Sequence, residues 1–351
     1  MAYFRSLPNL QTMLDLFRRE DDWLIPISAD PDAMASAMAL RRIMSRRVRD
    51  VHIAKVNEII RPDNLAMVRY THLHMLELTP ELMRGKKLAM VDSQPSHHPL
   101  FKDASYEIII DHHPLSASSQ ARYQVVRPEY GATATLMTEH LYNLDIRPGK
   151  LLATALQFGI KTDTASFERH CTDVDIRAYQ YLGRFADNAL LSRISRSEFH
   201  RRWLDTLALA CTNMYALGSG QYAFLNEIDN PDILVLIADF FMRVYEIRWV
   251  AVAGLYAGIV VVVFRGDGMS RDVGRYASQL FGELGSAGGH KAMARAEFPV
   301  EAMDGADPEL FIWQRLTTPL RNRQKNAAPP PPEASGPPRS AHTPEDDELP
   351  D

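Results

Sequence analysis

The alternation of short apolar runs with helix-like segments in the first half of the chain constrains its fold more than any other feature. The apolar runs lie at residues 23–28, 51–56, 87–91 and 106–110, and the segments with helical periodicity lie at residues 32–48, 61–70, 131–144 and 150–162. Strands that alternate with helices of this length predict βαβ units. We therefore expect an α/β fold whose N-terminal part is a mainly parallel sheet flanked by helices.

The rest of the chain predicts a helical connector, a second domain and a tail. Strand-like runs at residues 222–227, 250–255 and 258–264, with helix-like segments at 232–243 and 270–284, predict a smaller C-terminal α/β domain. We assign residues 1–190 to the N-terminal domain, 191–213 to the connector and 214–322 to the C-terminal domain. Residues 323–351 are rich in proline and acidic residues, which predicts a disordered tail because such a segment buries too little apolar area.

Composition and charge narrow the class of protein. A chain of 351 residues favours two domains. Its formal charge of −5 does not indicate a large basic surface, so we expect no duplex DNA partner. Two distant cysteines exclude a zinc knuckle and favour a reducing compartment. Residues 1–20 lack the apolar core of a signal peptide and residues 257–264 are too few to cross a bilayer, so we expect a cytoplasmic protein without a membrane partner.

Carboxylates follow three of the predicted strands. The residues are Asp30 and Asp32 after the first run, Asp92 after residues 87–91 and Asp111 after residues 106–110. Ligands of parallel sheets bind at the carboxyl ends of the strands, where these side chains would meet. Asp163 ends a predicted helix and reaches the same edge from the side. Helix capping or turn formation explains each aspartate taken alone, but not the set.

The run Asp111-His112-His113 is the least easily explained by packing, because polar groups at a buried strand end need partners. Imidazole is the commonest nitrogen ligand of transition metals. With the other aspartates, the run supplies a mixed oxygen and nitrogen set that suits Mn²⁺ or Mg²⁺. Two such ions about 3.5–4 Å apart support in-line displacement at phosphorus. The set therefore predicts a metal-dependent phosphoryl hydrolase.

These motifs together resemble the DHH phosphoesterase superfamily, which is named for the motif matched by Asp111-His112-His113. The pair Asp30 and Asp32 resembles the first family motif, Asp92 lies in the counterpart of the second, and residues 159–164, with Asp163, resemble the fourth. Residues 130–135 resemble the helix start between the third and fourth motifs. The resemblance extends to about residue 320.

The C-terminal domain resembles the DHH-associated domain of the same superfamily. Gly288, Gly289 and His290 resemble its glycine-rich loop, and Arg265 occupies the place of a substrate-contacting arginine. The resemblance implies an enzyme with its active site in a cleft between two domains, nearest the nanoRNase and phosphoadenosine-phosphate phosphatase type. The implied partner is a small nucleotide or a short single-stranded oligonucleotide. The oligomeric state stays open, a homodimer included.

The resemblance also implies a role for each site residue. One Mn²⁺ or Mg²⁺ ion would be held by Asp32, Asp92, His112 and Asp163, and a second by Asp30 and the bridging Asp92. Asp111 and His113 would be the catalytic pair, with His113 binding the phosphate or protonating the leaving oxygen. The substrate would be bound by Arg265, Gly288, Gly289 and His290.

One position departs from the family pattern. The first family motif begins with a histidine four residues before its first aspartate, and Pro26 stands at that position. Proline cannot bind a metal. Three alternatives follow: His97, His98 or Ser28 supplies the missing ligand, the second metal site is weak or absent, or the protein has lost hydrolysis. In the third case the chain binds a nucleotide or a partner protein without turnover.

Overall fold

The computed structural model describes residues 3–7, 9–102, 104–116, 119–168, 170–197 and 200–318. The chain divides into two compact units, Met1–Glu198 and Phe199–Asp351. The tail predicted at residues 323–351 lies outside the described residues. Within the described ranges, every helix is too short or too polar to cross a membrane.

The N-terminal unit is a six-stranded parallel sheet flanked by helices, which confirms the predicted α/β fold. Its strands are β1 (Asp22–Ile27), β2 (Asp50–Lys55), β3 (Leu76–Glu77), β4 (Lys87–Val91), β5 (Tyr106–Asp111) and β6 (Ala121–Val126). They lie in the order β3-β2-β1-β4-β5-β6, and every neighbouring pair is parallel. Its helices are α1 (Leu10–Leu14), α2 (Pro31–Met44), α3 (Pro62–Thr71), α4 (Pro80–Met83), α5 (Pro99–Lys102), α6 (Thr133–Asn143), α7 (Lys150–Asp163), α8 (Asp173–Leu182) and α9 (Asn188–Ser195).

The strand order creates a switch point between β1 and β4. The chain runs from β1 outward through β2 and β3, and then returns to continue on the other side as β4, β5 and β6. Connections that leave in opposite directions open a crevice at the carboxyl ends of the two central strands. The predicted acidic residues follow β1 and β4 and end β5, so they share this edge of the sheet.

Small residues allow two helices to pack closely behind that edge. Helix α2 begins at the turn after β1, where Asp30 is the N-cap and Pro31 the first helical residue. Gly159 of α7 faces the start of α2, where an added Cβ would lie 3.1 Å from the Asp32 Cα. The glycine therefore lets α7 approach α2 and brings Asp163, the last residue of α7, toward the crevice.

The C-terminal unit is a second, mixed sheet with helices, as predicted. Its elements are α10 (Trp203–Thr212), β7 (Met214–Leu217), β8 (Gly220–Glu227), α11 (Asp232–Phe241), β9 (Trp249–Tyr256), β10 (Ile259–Gly266), α12 (Val273–Phe281), β11 (Ser286–Gly289), β12 (Met293–Pro299) and α13 (Pro308–Thr317). The strand order is β11-β12-β10-β9-β8-β7, with β8 and β9 parallel and the other pairs antiparallel.

The predicted glycine-rich loop is corrected by the structure. Gly288 and Gly289 form the end of the edge strand β11 and pair with Arg295 and Ala294 of β12. At φ +149°, Gly289 lies so close to β12 that an added Cβ would be 2.3 Å from the Met293 carbonyl oxygen. Gly289 is therefore explained by this close backbone approach, which sequence inspection cannot distinguish from a flexible loop.

Candidate metal centre

Four side chains at the switch point converge on one position. Each offers one ligand atom, and these atoms all lie within 4.8 Å of one another; the residues are Asp32, Asp92, His112 and Asp163. They come from the first turn of α2, the end of β4, the end of β5 and the end of α7. Three carboxylates with one imidazole are a donor set that suits a hard or borderline divalent cation. These are the four residues assigned to one ion from the sequence.

Asp32 is held in place by the start of α6. Its carboxylate accepts hydrogen bonds from the backbone N–H groups of Thr133, at 2.6 Å, and Ala134, at 2.7 Å. The residue is fully buried. Free N–H groups at a helix N-terminus favour a negative charge, so α6 both orients the carboxylate and stabilises its ionised form.

Asp92 is positioned by its backbone and by Thr133. Its φ of +56° lies in the left-handed region, which aspartate tolerates better than most residues, and its N–H donates to the Ile110 carbonyl at 3.0 Å. The Thr133 hydroxyl donates to Asp92 Oδ1 at 2.9 Å. Thr133 therefore contacts two of the four donors, Asp32 through its N–H and Asp92 through its hydroxyl.

His112 has the orientation of a metal ligand. Its Nδ1 lies 3.1 Å from the Tyr130 carbonyl oxygen, which only accepts hydrogen bonds, so Nδ1 carries the proton. The other ring nitrogen, Nε2, is buried without a hydrogen-bond partner and lies 3.2 Å from Asp163 Oδ2 and 3.5 Å from Asp92 Oδ1. A histidine whose second nitrogen is fixed by a carbonyl is the usual arrangement around a bound metal.

His113 is oriented by Asp111, which the structure places behind it. Asp111 is fully buried, and its Oδ1 accepts from the His112 N–H and from His113 Nδ1 at 2.8 Å. Gln94 donates to the other Asp111 oxygen at 2.6 Å. Because Nδ1 is engaged, Nε2 is the His113 nitrogen left for other contacts, and 44% of its side chain is exposed. Asp111 is thus a positioning residue rather than a group that touches a ligand.

Burial and mutual repulsion disfavour the ionised forms of the carboxylates at this centre. Burial, together with the charge of Asp163, raises the pKa of Asp32 to about 7. Burial and the neighbouring carboxylates raise the pKa of Asp92 well above its usual range. Burial lowers the pKa of His112, but the carboxylates of Asp163 and Asp32 outweigh it and raise that pKa to about 9. A divalent cation would supply the positive charge that these groups lack.

The pKa of Asp111 is shifted in the opposite direction to those of Asp32 and Asp92. Burial opposes its ionisation, but hydrogen bonds from His113 and Gln94 outweigh burial and hold the pKa of the Asp111 carboxyl below its usual range. Asp111 is therefore ionised at neutral pH, and its charge favours the Nδ1–H form of His113.

The remaining candidates near the edge lie outside the four-donor group. Asp30 caps α2 by accepting from the Ala33 N–H at 2.9 Å. His97 lies against His113, with ring centroids 5.3 Å apart, and its Nδ1 is 3.3 Å from Ser93 Oγ. His98 accepts from the Leu100 N–H at 3.1 Å. Among the described residues, none of the three belongs to a group of metal donors.

The C-terminal candidates are already engaged within their own unit. Arg265 Nε donates to Asp239 Oδ1 at 2.6 Å, and 15% of its side chain is exposed. The His290 N–H donates to the Met293 carbonyl, and the His290 carbonyl accepts from the Gly274 N–H at 2.9 Å. Binding of a substrate by Arg265, Gly288, Gly289 and His290 therefore stays a prediction.

The fold and the site together define a parallel α/β unit with candidate metal ligands at the carboxyl ends of its strands. Comparison with known proteins agrees with this class of protein. Residues 25–160 match the family described as "DHH family, N-terminal domain". The N-terminal unit is therefore similar to this family over residues 25–160, which confirms the resemblance predicted from its motifs.

The similarity of the chain to two known proteins extends beyond that domain. The chain is 33% identical over 279 residues to the uncharacterized protein MJ1633 of Methanocaldococcus jannaschii, which covers 79% of this chain. The chain spans 57% of the length of that relative. A crystal structure of an exopolyphosphatase-related protein from Bacteroides fragilis superposes with a TM-score of 0.64 at 16% identity, covering 88% of this chain and 97% of that one. At this identity the likeness shows the fold alone.

Proposed function

We propose that the chain is a metal-dependent hydrolase of small phosphoesters, with short oligonucleotides or 3′-phosphorylated nucleotides as substrates. The observation that carries the proposal is the convergence of Asp32, Asp92, His112 and Asp163 at the switch point. Carboxylate and imidazole donors in this position are the usual means of holding a divalent cation at a phosphoryl group. The family of the N-terminal unit supports the same class of reaction.

The residues present fit a divalent cation. His112 Nε2 is buried without a hydrogen-bond partner, and the three carboxylates supply the negative charge. When bound, the cation supplies Lewis-acid polarisation of a phosphoryl group. Mn²⁺ or Mg²⁺ is the proposed cofactor, because the set contains oxygen and nitrogen donors but no thiolate.

His113 is the proposed acid of the reaction. Asp111 holds its Nδ1 at 2.8 Å, so Nε2 faces away from the carboxylate and is available to a ligand. Once Nε2 is protonated as well, His113 can donate a hydrogen bond to a phosphoryl oxygen or deliver that proton to the leaving oxygen. The Asp111 carboxylate stabilises the imidazolium that proton uptake creates, in the manner of an orienting acid beside a catalytic histidine.

Substrate binding by the C-terminal unit is part of the same proposal. Arg265 is the candidate for a distal phosphate, and it would reach one by exchanging the Asp239 carboxylate for it. Guanidinium groups pair with phosphate at least as well as with carboxylate, so the exchange needs no new side chain. The short length of the expected substrate agrees with the formal charge of −5, which does not indicate an extended basic surface.

The test is hydrolysis by the full chain under metal control. With Mn²⁺, purified protein should release nucleoside monophosphate from a dinucleotide or phosphate from a 3′-phosphorylated nucleotide, and chelation should stop it. Asp92→Asn should reduce the rate to background. The matched control is Asp145→Asn, because Asp145 is exposed and shares the left-handed backbone of Asp92, with φ +52° against +56°.

A binder without turnover is the second candidate function, and Pro26 is the residue that favours it. In that case the chain would bind Mn²⁺ and a nucleotide in calorimetry, while every dinucleotide and bisphosphate substrate stays intact. Hydrolysis that Asp92→Asn abolishes rejects this candidate. Absence of turnover at saturating Mn²⁺ rejects the hydrolase.

A further inference from the structure

Position 26 lacks the side-chain ligand that a second metal ion would use. Pro26 lies in β1, four residues before Asp30, and pairs with Ala54 of β2. It is buried and carries neither a side-chain donor nor a backbone N–H. In the arrangement that the family resemblance implies, a second ion beside Asp92 would therefore have Asp30 as its remaining protein ligand. Two carboxylates hold such an ion only together with waters and substrate phosphates, so a second ion would bind weakly in the absence of substrate.

Asp30 has another use in the fold. Its Oδ1 accepts from the Ala33 N–H at 2.9 Å, which caps α2. Binding an ion through that oxygen would compete with the cap, and loss of an N-cap costs about 1 kcal/mol. Within the described part of the chain, Asp30 belongs to neither group of metal donors.

The two donor groups are alternatives for one ion rather than two sites. The second group consists of Asp92, His112 and His113, so it shares Asp92 and His112 with the first. His112 has a single free ring nitrogen, because Nδ1 donates to the Tyr130 carbonyl. One lone pair on Nε2 can bind one ion at a time.

The first group is the stronger of the two. It offers three carboxylates and one imidazole, whereas the second offers one carboxylate and two imidazoles. A hard divalent cation prefers the additional anionic oxygens, and its charge offsets their mutual repulsion. Of the neighbours that could replace the missing histidine, neither His97 nor His98 joins a donor group among the described residues.

We propose that the centre of this chain holds one divalent ion, at Asp32, Asp92, His112 and Asp163, and not the two that its family implies. The inference rests on the proposed function only for the kind of ion. It assigns the loss of the second ion to Pro26 and frees Asp30 to serve as the cap of α2. The role of a second ion at the phosphoryl group would then fall to His113, which the buried Asp111 holds beside the first site.

The test is a count of bound ions on the full chain. Equilibrium dialysis against Mn²⁺ followed by elemental analysis should give one equivalent, and the electron paramagnetic resonance spectrum should be that of an isolated Mn²⁺ ion. Asp30→Asn, whose amide oxygen can still accept from the Ala33 N–H, should leave the count at one. Two equivalents in the unmodified chain, or a lower count in Asp30→Asn, would overturn the proposal.

A gain of the second ion tests the assignment to position 26. Pro26→His should raise the count to two and produce a spectrum of coupled ions, while the control Pro26→Ala, which removes proline without adding a donor, stays at one. Asp30→Asn in the Pro26→His background should return the count to one. A count of one in folded Pro26→His would reject the assignment. If Pro26→His does not fold, the count in the unmodified chain and in Asp30→Asn still decides.

The outcome is separable from that of the proposed function. One equivalent without hydrolysis would support this inference and reject the hydrolase. Two equivalents with hydrolysis would reject this inference and support the hydrolase. Absence of Mn²⁺ binding would reject both.

Discussion

A single methyl group at Gly159 should weaken metal binding without touching a metal ligand. In Gly159→Ala, the added Cβ would lie 3.1 Å from the Asp32 Cα, 3.2 Å from the Pro31 carbonyl oxygen and 3.3 Å from Asp32 Oδ1. All three distances are below ordinary van der Waals contact, so α2 or α7 must shift by a few tenths of an ångström. The shift moves Asp32 relative to Asp163, because Asp163 ends the same helix as Gly159.

Two opposing terms set the effect on stability. Alanine is favoured over glycine inside a helix by about 1 kcal/mol. Overpacking a close contact costs about 1–3 kcal/mol. The net loss should be about 1 kcal/mol, which lowers the melting temperature of a unit of this size by about 2–4 °C. Metal ligands tolerate displacements of only about 0.2 Å, so Mn²⁺ affinity should fall roughly tenfold, equivalent to about 1.4 kcal/mol.

The assay is isothermal titration with Mn²⁺ combined with calorimetric unfolding of the full chain. Gly149→Ala is the matched control, because Gly149 is the N-cap of the same helix and has no atom within 4 Å of an added Cβ. Its Mn²⁺ affinity should equal that of the unmodified chain. A Gly159→Ala variant that is more stable than the unmodified chain and binds Mn²⁺ equally well would refute the close packing of α7 on Asp32.

Two further predictions concern the groups behind the metal centre. Gln94→Met keeps the side-chain volume but removes the hydrogen bonds to Asp111 and to the loop that follows it. The free energy of unfolding should therefore fall by about 2–4 kcal/mol, while Mn²⁺ affinity changes little. An unchanged unfolding transition in calorimetry would contradict this. Mn²⁺ should bind more tightly as pH rises from 6 to 9, because protons compete with the ion at Asp32 and His112. The pKa of Asp32 is about 7 and that of His112 about 9. Equal Mn²⁺ affinity in titrations across this pH range would show that neither residue is a ligand.

The part of the site that the sequence predicts depends on a rule of parallel sheets. Strands of such a sheet all present their carboxyl ends at one edge, so residues that follow β1 and β4 or end β5 must meet there. Asp92 and His112, 20 positions apart in the sequence, were placed together on this ground, and the structure brings them together. Asp163, at the end of a helix predicted from its periodicity, is expected to reach the same edge from the side, and it joins the donor group there.

The residues that support the donors could not be predicted in the same way. Thr133 and Gln94 contact Asp32, Asp92 and Asp111 through hydrogen bonds that form only when distant segments pack together, and isolated polar residues carry no periodic signal. The roles of Asp30 and Asp111 are further examples. Both stand in recognisable motifs, but the hydrogen bonds that make one a helix cap and the other a positioning residue are visible only in three dimensions.

Some secondary structure was also missed for physical reasons. Strand β6 lies at the edge of the sheet and contains Arg122 and Gln124, so it lacks the continuous apolar run that marks the buried strands. The short strand β3 has two residues, both exposed. In the C-terminal unit, the sequence predicts a loop at Gly288 and Gly289, because glycine alone does not distinguish a flexible turn from an edge strand that needs close backbone contact.

The most direct measurement of the central claim is anomalous diffraction at the manganese edge from crystals of the full chain soaked in Mn²⁺. The account predicts one strong peak within bonding distance of Asp32, Asp92, His112 and Asp163, with Asp30 still bound to the Ala33 N–H. A peak that His113 ligates in place of Asp163, two peaks bridged by Asp92, or no peak at the carboxyl ends of β1 and β4 would contradict it.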